Sequence, residues 1–239
     1  MRFTVWVYVI AALIWIMLDS GAAADEAGTA GVTRILYESA FSSSTIGELP
    51  VNMRASGLDR GTIEIVADPE LPGGKALRIR TIESGVENGL PLSVLGPTFQ
   101  IGDRDPNVVT IEYHVKWIEG GGTSGQYFYI TDTQRGHSII LLHSSGRLRW
   151  HARLADPAYN VLALAPLSEG WNYVRVVADR STGLADVYLN DVDTPVGTGL
   201  PFQRPVHSWG DIAIRITHET RNGESRDALY GDIRVTAVD

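Results

Sequence analysis

Cysteine is absent from the chain, which excludes disulfides, thiolate metal centres, thiol nucleophiles and a lipid-modified N-terminal cysteine. No Asn-x-Ser/Thr acceptor for N-glycosylation occurs either. Sustained apolar patterns with the 3.6-residue period of a helix are missing, and nothing repeats internally after Arg34. The motifs of several enzyme classes are lacking as well: there is no G-x-S-x-G elbow, no phosphate-binding G-x-x-x-x-G-K loop, and His218-Glu219 has no second His to complete a metalloprotease helix. Basic residues are in the minority, with 20 Lys plus Arg against 28 Asp plus Glu and a formal net charge of -8. That balance repels phosphate backbones at long range and excludes nucleic acid as an expected partner.

What is present begins with an export signal. Arg2 precedes an apolar run from Phe3 to Leu18, and Asp19-Ser20-Gly21 leads into Ala22-Ala23-Ala24, the charged, apolar and small-residue order of a secretory leader. Cleavage after Ala24 removes one charge of each sign, so the mature chain keeps its net charge, and with no other apolar run of that length no membrane contact is expected once the leader is gone. Retention as an uncleaved anchor is the competing reading. Stability without disulfides must come from apolar burial, which suits secretion or a periplasm of bacterial type. Residues 25–33 are small and polar and read as a disordered lead-in, leaving 34–239 as one domain, a length that single all-β domains reach.

The pattern in that domain has period two. Along residues 108–118, Val109, Ile111, Tyr113, Val115 and Trp117 fall on one face, and Thr110, Glu112, His114 and Lys116 on the other. Residues 147–154 repeat it with Leu148, Trp150, Ala152 and Leu154 against Arg147, Arg149, His151 and Arg153; Val174, Val176 and Ala178 oppose Tyr173 and Arg175. Further strands are predicted near 34–38, 61–67, 75–83, 126–132, 137–143, 159–164, 184–190, 211–218 and 229–238. Two-faced strands need a second sheet over their apolar sides, so the expected fold is all-β: a two-sheet antiparallel β-sandwich.

One stretch carries a resemblance. Glu169-Gly170-Trp171-Asn172-Tyr173-Val174-Arg175-Val176, then Asp179-Arg180-Ser181-Thr182-Gly183, then Val187-Tyr188-Leu189-Asn190, resembles the central hairpin of laminin-G-like and other concanavalin A-like lectin and glucanase domains. In these a Trp opens a strand, a D-x-x-T-G turn follows, and the next strand ends in Tyr-x-Asn-Gly. Here Asp191 replaces that Gly. The segments Phe41–Gly47, Gly74–Ile79 and Gly231–Val235 are similar to the family as well. The resemblance implies a jelly roll, and a calcium ion tying the last strand to the start of the chain through Asp232 and Glu38. Asp103, Asp105 and Asn107 form a second oxygen-rich turn.

Glucanases of this family carry an E-x-D-x-x-E strand whose alternate carboxylates flank the glycosidic bond. No Glu in this chain has an Asp two residues later, so that mechanism is not expected. The candidate ligand-binding residues are polar strand positions: Glu112, His114, Lys116, Tyr127, Tyr129, Arg147, Arg149 and His151. Alternate side chains stand about 6.6 Å apart along a strand, and these are expected to share one exposed sheet face that grips carboxylate or sulfate groups through Arg, with Tyr as a stacking surface. The competing reading is a solvated face held by cross-strand pairs such as Glu112 with an Arg. Trp209 and Tyr159, set among Gly, Pro and Asn, are further stacking candidates.

The leading function is therefore an exported protein that binds a polysaccharide or other glycan, an anionic one for preference. The alternative is a polysaccharide lyase or related carbohydrate-active enzyme on the same fold, although the R-x-E-x-R, Q-I-H and Tyr-Lys-Ala-Gly stretches that such lyases resemble one another in are missing. A third reading is an extracellular protein-interaction domain. Mass spectrometry of exported material is expected to find Asp25 as the first residue; an intact Met1 in that pool would contradict the leader assignment.

Overall fold

The structure is a computed structural model that describes residues 33–39, 41–82, 92–101, 107–119, 125–132, 136–153, 159–204, 211–219 and 225–238. The leader, all but the last residue of the lead-in, Asp103, Asp105 and Trp209 lie outside them. The strands are β1 (Thr33–Ser39), β2 (Arg54–Ser56), β3 (Gly61–Ala67), β4 (Lys75–Thr81), β5 (Leu92–Leu95), β6 (Phe99–Gln100), β7 (Val108–Glu119) and β8 (Gln126–Asp132), followed by β9 (Gly136–Ser144), β10 (Arg147–Arg153), β11 (Tyr159–Pro166), β12 (Trp171–Asp179), β13 (Leu184–Leu189), β14 (Pro195–Pro201), β15 (Asp211–His218) and β16 (Arg226–Val238). Among the described residues the helical elements are two 3-10 turns, Phe41–Ser43 and Leu58–Arg60.

All pairings are antiparallel, and they form two sheets. Sheet A has the order β14-β13-β12-β7-β16-β4-β3 with β1 also beside β16; sheet B has the order β11-β10-β9-β8-β15-β5-β2 with β6 also beside β15. This is the two-sheet jelly-roll sandwich that the alternation and the resemblance predict. Val109, Ile111, Tyr113 and Val115 of β7, with Val174, Val176 and Ala178 of β12, meet Phe128 and Ile130 of β8 and Leu148, Trp150 and Ala152 of β10 in one core. Tyr113 stacks on Phe128 across the two sheets, with centroids 4.0 Å apart and planes within 5°. Trp150 donates its indole N–H to the carbonyl of Pro201 at 2.9 Å, joining β10 of sheet B to β14 of sheet A. Each large apolar side chain buried in this way contributes roughly 1.5–3 kcal/mol.

The hairpin that carries the resemblance is β12–β13. Asp179 accepts from the Ser181 N–H at 2.8 Å and its hydroxyl at 2.7 Å, and Gly183 takes a φ of +70° at the turn's end. After β13 the left-handed position falls on Asn190, φ +57°, a residue type that tolerates it. Its side-chain oxygen accepts from the Tyr173 N–H at 2.8 Å. Asp191 is therefore free of the conformational demand that Gly meets in related hairpins, and it instead accepts the Asp193 N–H at 2.8 Å.

The strands that alternation does not predict are β2, β5, β6 and β14. The first three have two to four residues, too few to establish a period, and β14 reads Pro-Val-Gly-Thr-Gly-Leu-Pro, an edge strand whose composition is that of a loop.

Two polar contacts cross the core. Tyr113 of sheet A meets Nε2 of His143 on β9 at 3.1 Å, and Tyr230 of sheet A meets Nε2 of His218 on β15 at 3.1 Å. Both imidazoles are fully buried. Burial pushes His143 down to about 4; burial, then the charges of Arg226 and His143, push His218 down to about 3. The unfolded chain takes up these protons near pH 6.5 and the folded chain only near 4 and below, so stability is complete above pH 6.5 and is lost as the pH falls toward 4. The slope is up to about 1.4 kcal/mol per pH unit for each histidine. Urea unfolding between pH 8 and 4.5 is expected to show this loss, with a shallower slope in His143→Gln; a midpoint independent of pH over that range would contradict it.

Candidate functional site

Each sheet turns one face to the core and one away from it, and the two outward faces differ in how their charges are satisfied. On sheet A, β7 presents Glu112, His114 and Lys116. Lys116 Nζ lies 2.7 Å from Glu70 and above the Trp171 ring at 6.0 Å. Tyr173 donates to Glu112 in a short contact. Burial and then this contact raise the tyrosine's pKa. Arg78 donates to Asp227 at 3.0 Å, Arg80 reaches the same carboxylate at 3.9 Å, and Arg234 lies 3.7 Å from Glu38. Arg175 donates to the Val192 carbonyl at 3.0 Å and lies over the Tyr188 ring. His114 packs between Trp171 and Tyr173; burial lowers its pKa against the opposing pull of Asp232 and Glu112. This face is close to self-neutralised.

Sheet B is different. Its outward side chains run in rows set by register: Ser56, Ser93, Thr217, Tyr127, Leu142, Arg149 and Ala163 stand directly opposite one another across seven strands. The neighbouring row holds Arg54, Leu95, Arg215, Tyr129 and Ile140, with His151 beyond it opposite Val161. Although they point away from the core, Ser93, Tyr129, Ile140, Leu142 and Thr217 are each less than 8 % exposed. The middle of the face is recessed, whereas Arg54, Ser56, Arg147 and Ala163 toward its margins are exposed.

Within the recess Tyr127 and Tyr129 stack at 5.5 Å with planes 9° apart, and the His151 ring meets Tyr127 edge-on at 5.7 Å. Burial lowers the His151 pKa, so the ring is neutral at pH 7, and its Nε2 is shielded without a hydrogen-bond partner. Arg149 Nε and Thr217 Oγ1 are in the same condition. Burial also raises the Tyr129 pKa, with the Tyr127 and Glu219 charges adding to it and Arg215 opposing. Among the described residues, Arg54, Arg147, Arg149 and Arg215 of this face have no carboxylate partner, and Arg215 donates to the Ser93 hydroxyl at 3.3 Å.

These positions correct the expectation of one shared strip. Glu112, His114 and Lys116 lie on β7 in sheet A, whereas Tyr127, Tyr129, Arg147, Arg149 and His151 lie on β8 and β10 in sheet B. Since the inward residues of both strands share one core, the two outward faces point in opposite directions, and no single cleft uses His114 and His151 together. Glu112 is engaged by Tyr173 on its own sheet. The sheet B residues do converge, and the fold adds Arg54, Ser56, Ser93, Arg215 and Thr217, which the alternation did not single out. The signal for Arg215 and Thr217 was present in the 211–218 strand as polar residues between Ile212, Ile214 and Ile216.

The residues named for calcium are already engaged. Asp232 accepts the Phe41 N–H at 3.2 Å, tying the start of the sandwich to its last strand by a hydrogen bond, and Glu38 faces Arg234. Calcium takes six to eight oxygen ligands. Among the described residues no group of three or more His, Asp or Glu side chains is placed to hold a metal. Asp232 and Glu38 by themselves do not fit such an ion.

Solved structures share the fold at low sequence identity. A carbohydrate esterase of the Shiga toxin-encoding bacteriophage phi24B is 17 % identical over 87 % of this chain and 100 % of its own, with a TM-score of 0.59. An immunostimulatory antigen of Mycobacterium tuberculosis, described as a pseudo β-1,3-glucanase, is 13 % identical over 86 % of this chain and 99 % of its own, at 0.57. The catalytic domain of a glycoside hydrolase family 131 protein from Coprinopsis cinerea is 11 % identical over 84 % of this chain and 94 % of its own, at 0.54. No protein-family model matches the chain, and no curated protein matches it in sequence.

Proposed function

We propose that the recessed outward face of sheet B takes an acidic polysaccharide and that the protein is a carbohydrate-active enzyme cleaving it by β-elimination. One observation carries this reading: on a protein of net charge -8, four arginines without carboxylate partners among the described residues share one face with a neutral histidine whose Nε2 is unpartnered and with a tyrosine against its ring. Leaving the shielded Arg149 Nε unpartnered costs stability that a bound carboxylate returns. The jelly-roll likeness to a carbohydrate esterase and a glycoside hydrolase supports a glycan substrate by analogy of fold.

The residues divide the work as follows. Arg149 neutralises the uronate carboxylate, which stabilises the carbanionic charge that develops beside it. His151, neutral, withdraws the proton α to that carboxylate. Tyr127 delivers a proton to the leaving glycosidic oxygen; the bond to that oxygen breaks, and the electron pair released at the α carbon becomes the new double bond. Hydrolysis by paired carboxylates is a poorer match. It needs an acid and a base or nucleophile flanking the bond, and the polar side chains described on this face are Arg, His, Tyr, Ser and Thr, with one carboxylate, Glu219, acting on Tyr129.

A second reading, binding without cleavage, is favoured by the stacked pair Tyr127 and Tyr129, a platform for a sugar ring. A panel of uronate polysaccharides, followed by absorbance of unsaturated products and separately by binding, distinguishes the two. Products are expected, with loss of roughly 100-fold or more in Arg149→Ala and His151→Ala. The acid limb of kcat/KM should lie below the ordinary histidine value, because burial lowers the His151 pKa. Binding without products leaves the second reading; no binding to any acidic polymer, or wild-type behaviour of both variants, would overturn the proposal.

A further inference from the structure

At the β2 side of the recess the register builds a two-row grid from three strands. Arg54 and Arg215 flank Leu95 in one row, and Ser56 and Thr217 flank Ser93 in the next. Neighbouring strands are about 4.8 Å apart, so the two arginines approach the middle strand from either side, about 10 Å apart at their backbones. The hydroxyl row is already organised: Ser56 and Ser93 share a hydrogen bond of 2.9 Å, and Arg215 Nη2 donates to Ser93 Oγ at 3.3 Å. Thr217 completes the row, is 3 % exposed, points away from the core, and its Oγ1 has no partner.

A shielded hydroxyl without a partner is costly unless a ligand uses it. The two arginines beside it, Arg54 and Arg215, have no carboxylate partner among the described residues, and the negative charge two residues along the chain, Glu219, acts on Tyr129. We infer that Arg54, Ser56, Ser93, Arg215 and Thr217 form an oxyanion subsite for a carboxylate or sulfate group of the bound glycan, separate from the Tyr127, Arg149 and His151 group. Arg215 and Arg54 supply charge-assisted donors, and the Thr217 hydroxyl donates to a remaining oxygen. Arg149 lies three strands from Arg215, so one chain crossing the sheet reaches both with acidic groups on different sugars. The inference rests on the reading that sheet B's outer face takes the glycan, and it makes Arg215 and Thr217 specificity determinants distant from the reacting bond.

Nuclear magnetic resonance titration of the whole protein with inorganic sulfate, and in a second arm with glucuronate, tests the subsite without a polymer. Saturable shifts of the Arg215 Nε–H and Thr217 N–H signals are expected, lost in Arg215→Gln and weakened about tenfold in Thr217→Val, with Arg80→Ala on sheet A unchanged. Response to one anion alone identifies the group bound. Thr217→Val keeps the branched shape and removes an unsatisfied hydroxyl, so its melting temperature should not fall; a purely structural hydroxyl would lower it and leave anion binding intact. Shifts spread equally over Arg80 and Arg215, or none, would overturn the subsite. In the polymer arm, full binding by Arg215→Gln and Thr217→Val alongside loss in Arg149→Ala would remove the subsite and leave the face. Full polymer binding by all three variants would instead remove the face, with the sulfate response deciding the subsite independently.

Discussion

The hydrogen bonds from Tyr113 to His143 and from Tyr230 to His218 join the sheets through the interior, and each links a strand of the recessed face to a strand of sheet A. Each works only while its imidazole is neutral, because a buried cation there would lack a counterion. Gln126 of β8 stands directly opposite both histidines, so β8, β9 and β15 share one buried polar patch beneath the face. The outward neighbours of these three residues in the chain are Tyr127, Leu142 and Thr217, the middle of the row that crosses the recess. Fixing the inner side chains thus fixes the backbone that aims the outer ones.

The same alternation that fills the core also produces two polar faces, and pairing decides which of them is a candidate for binding. Sheet A satisfies its cations internally through Asp227, Glu70 and Glu38. Pairs of this kind at an exposed surface contribute little each, but they leave no charge seeking a partner. Among the described residues sheet B keeps four arginines without a carboxylate; Arg54 and Arg147 are exposed, whereas Arg149 and Arg215 are half-buried, where screening by solvent is weaker and a bound anion gains more. An acidic protein that concentrates unpaired positive charge in one place restricts where an anionic chain can dock.

Alternation in the sequence states which side chains of one strand share a face, and it does so correctly for Val109 to Val115 of β7, Leu148 to Ala152 of β10 and Val174 to Ala178 of β12, whereas Trp117 is only half-buried and Leu154 lies outside the described residues. It does not state which sheet a strand joins. Sheet membership depends on long-range pairing: β7 lies between β12 and β16, while β10 lies between β9 and β11. His114 and His151 therefore look alike in the sequence and face opposite ways in the fold. The short strands β2 and β5 were illegible for a different reason, since three or four residues carry no period, and with them Arg54, Ser56 and Ser93 were missed. Thr217 and Arg215 were visible as polar residues in an isoleucine strand, but only burial and missing partners distinguish them from an ordinary solvated face.

A crystal structure of the protein with an acidic oligosaccharide tests the central claim most directly. The account predicts sugar density across the outward face of sheet B, in contact with Arg149, His151 and Tyr127. Density on the Glu112, His114 and Lys116 face of sheet A, with the sheet B recess empty, would contradict it.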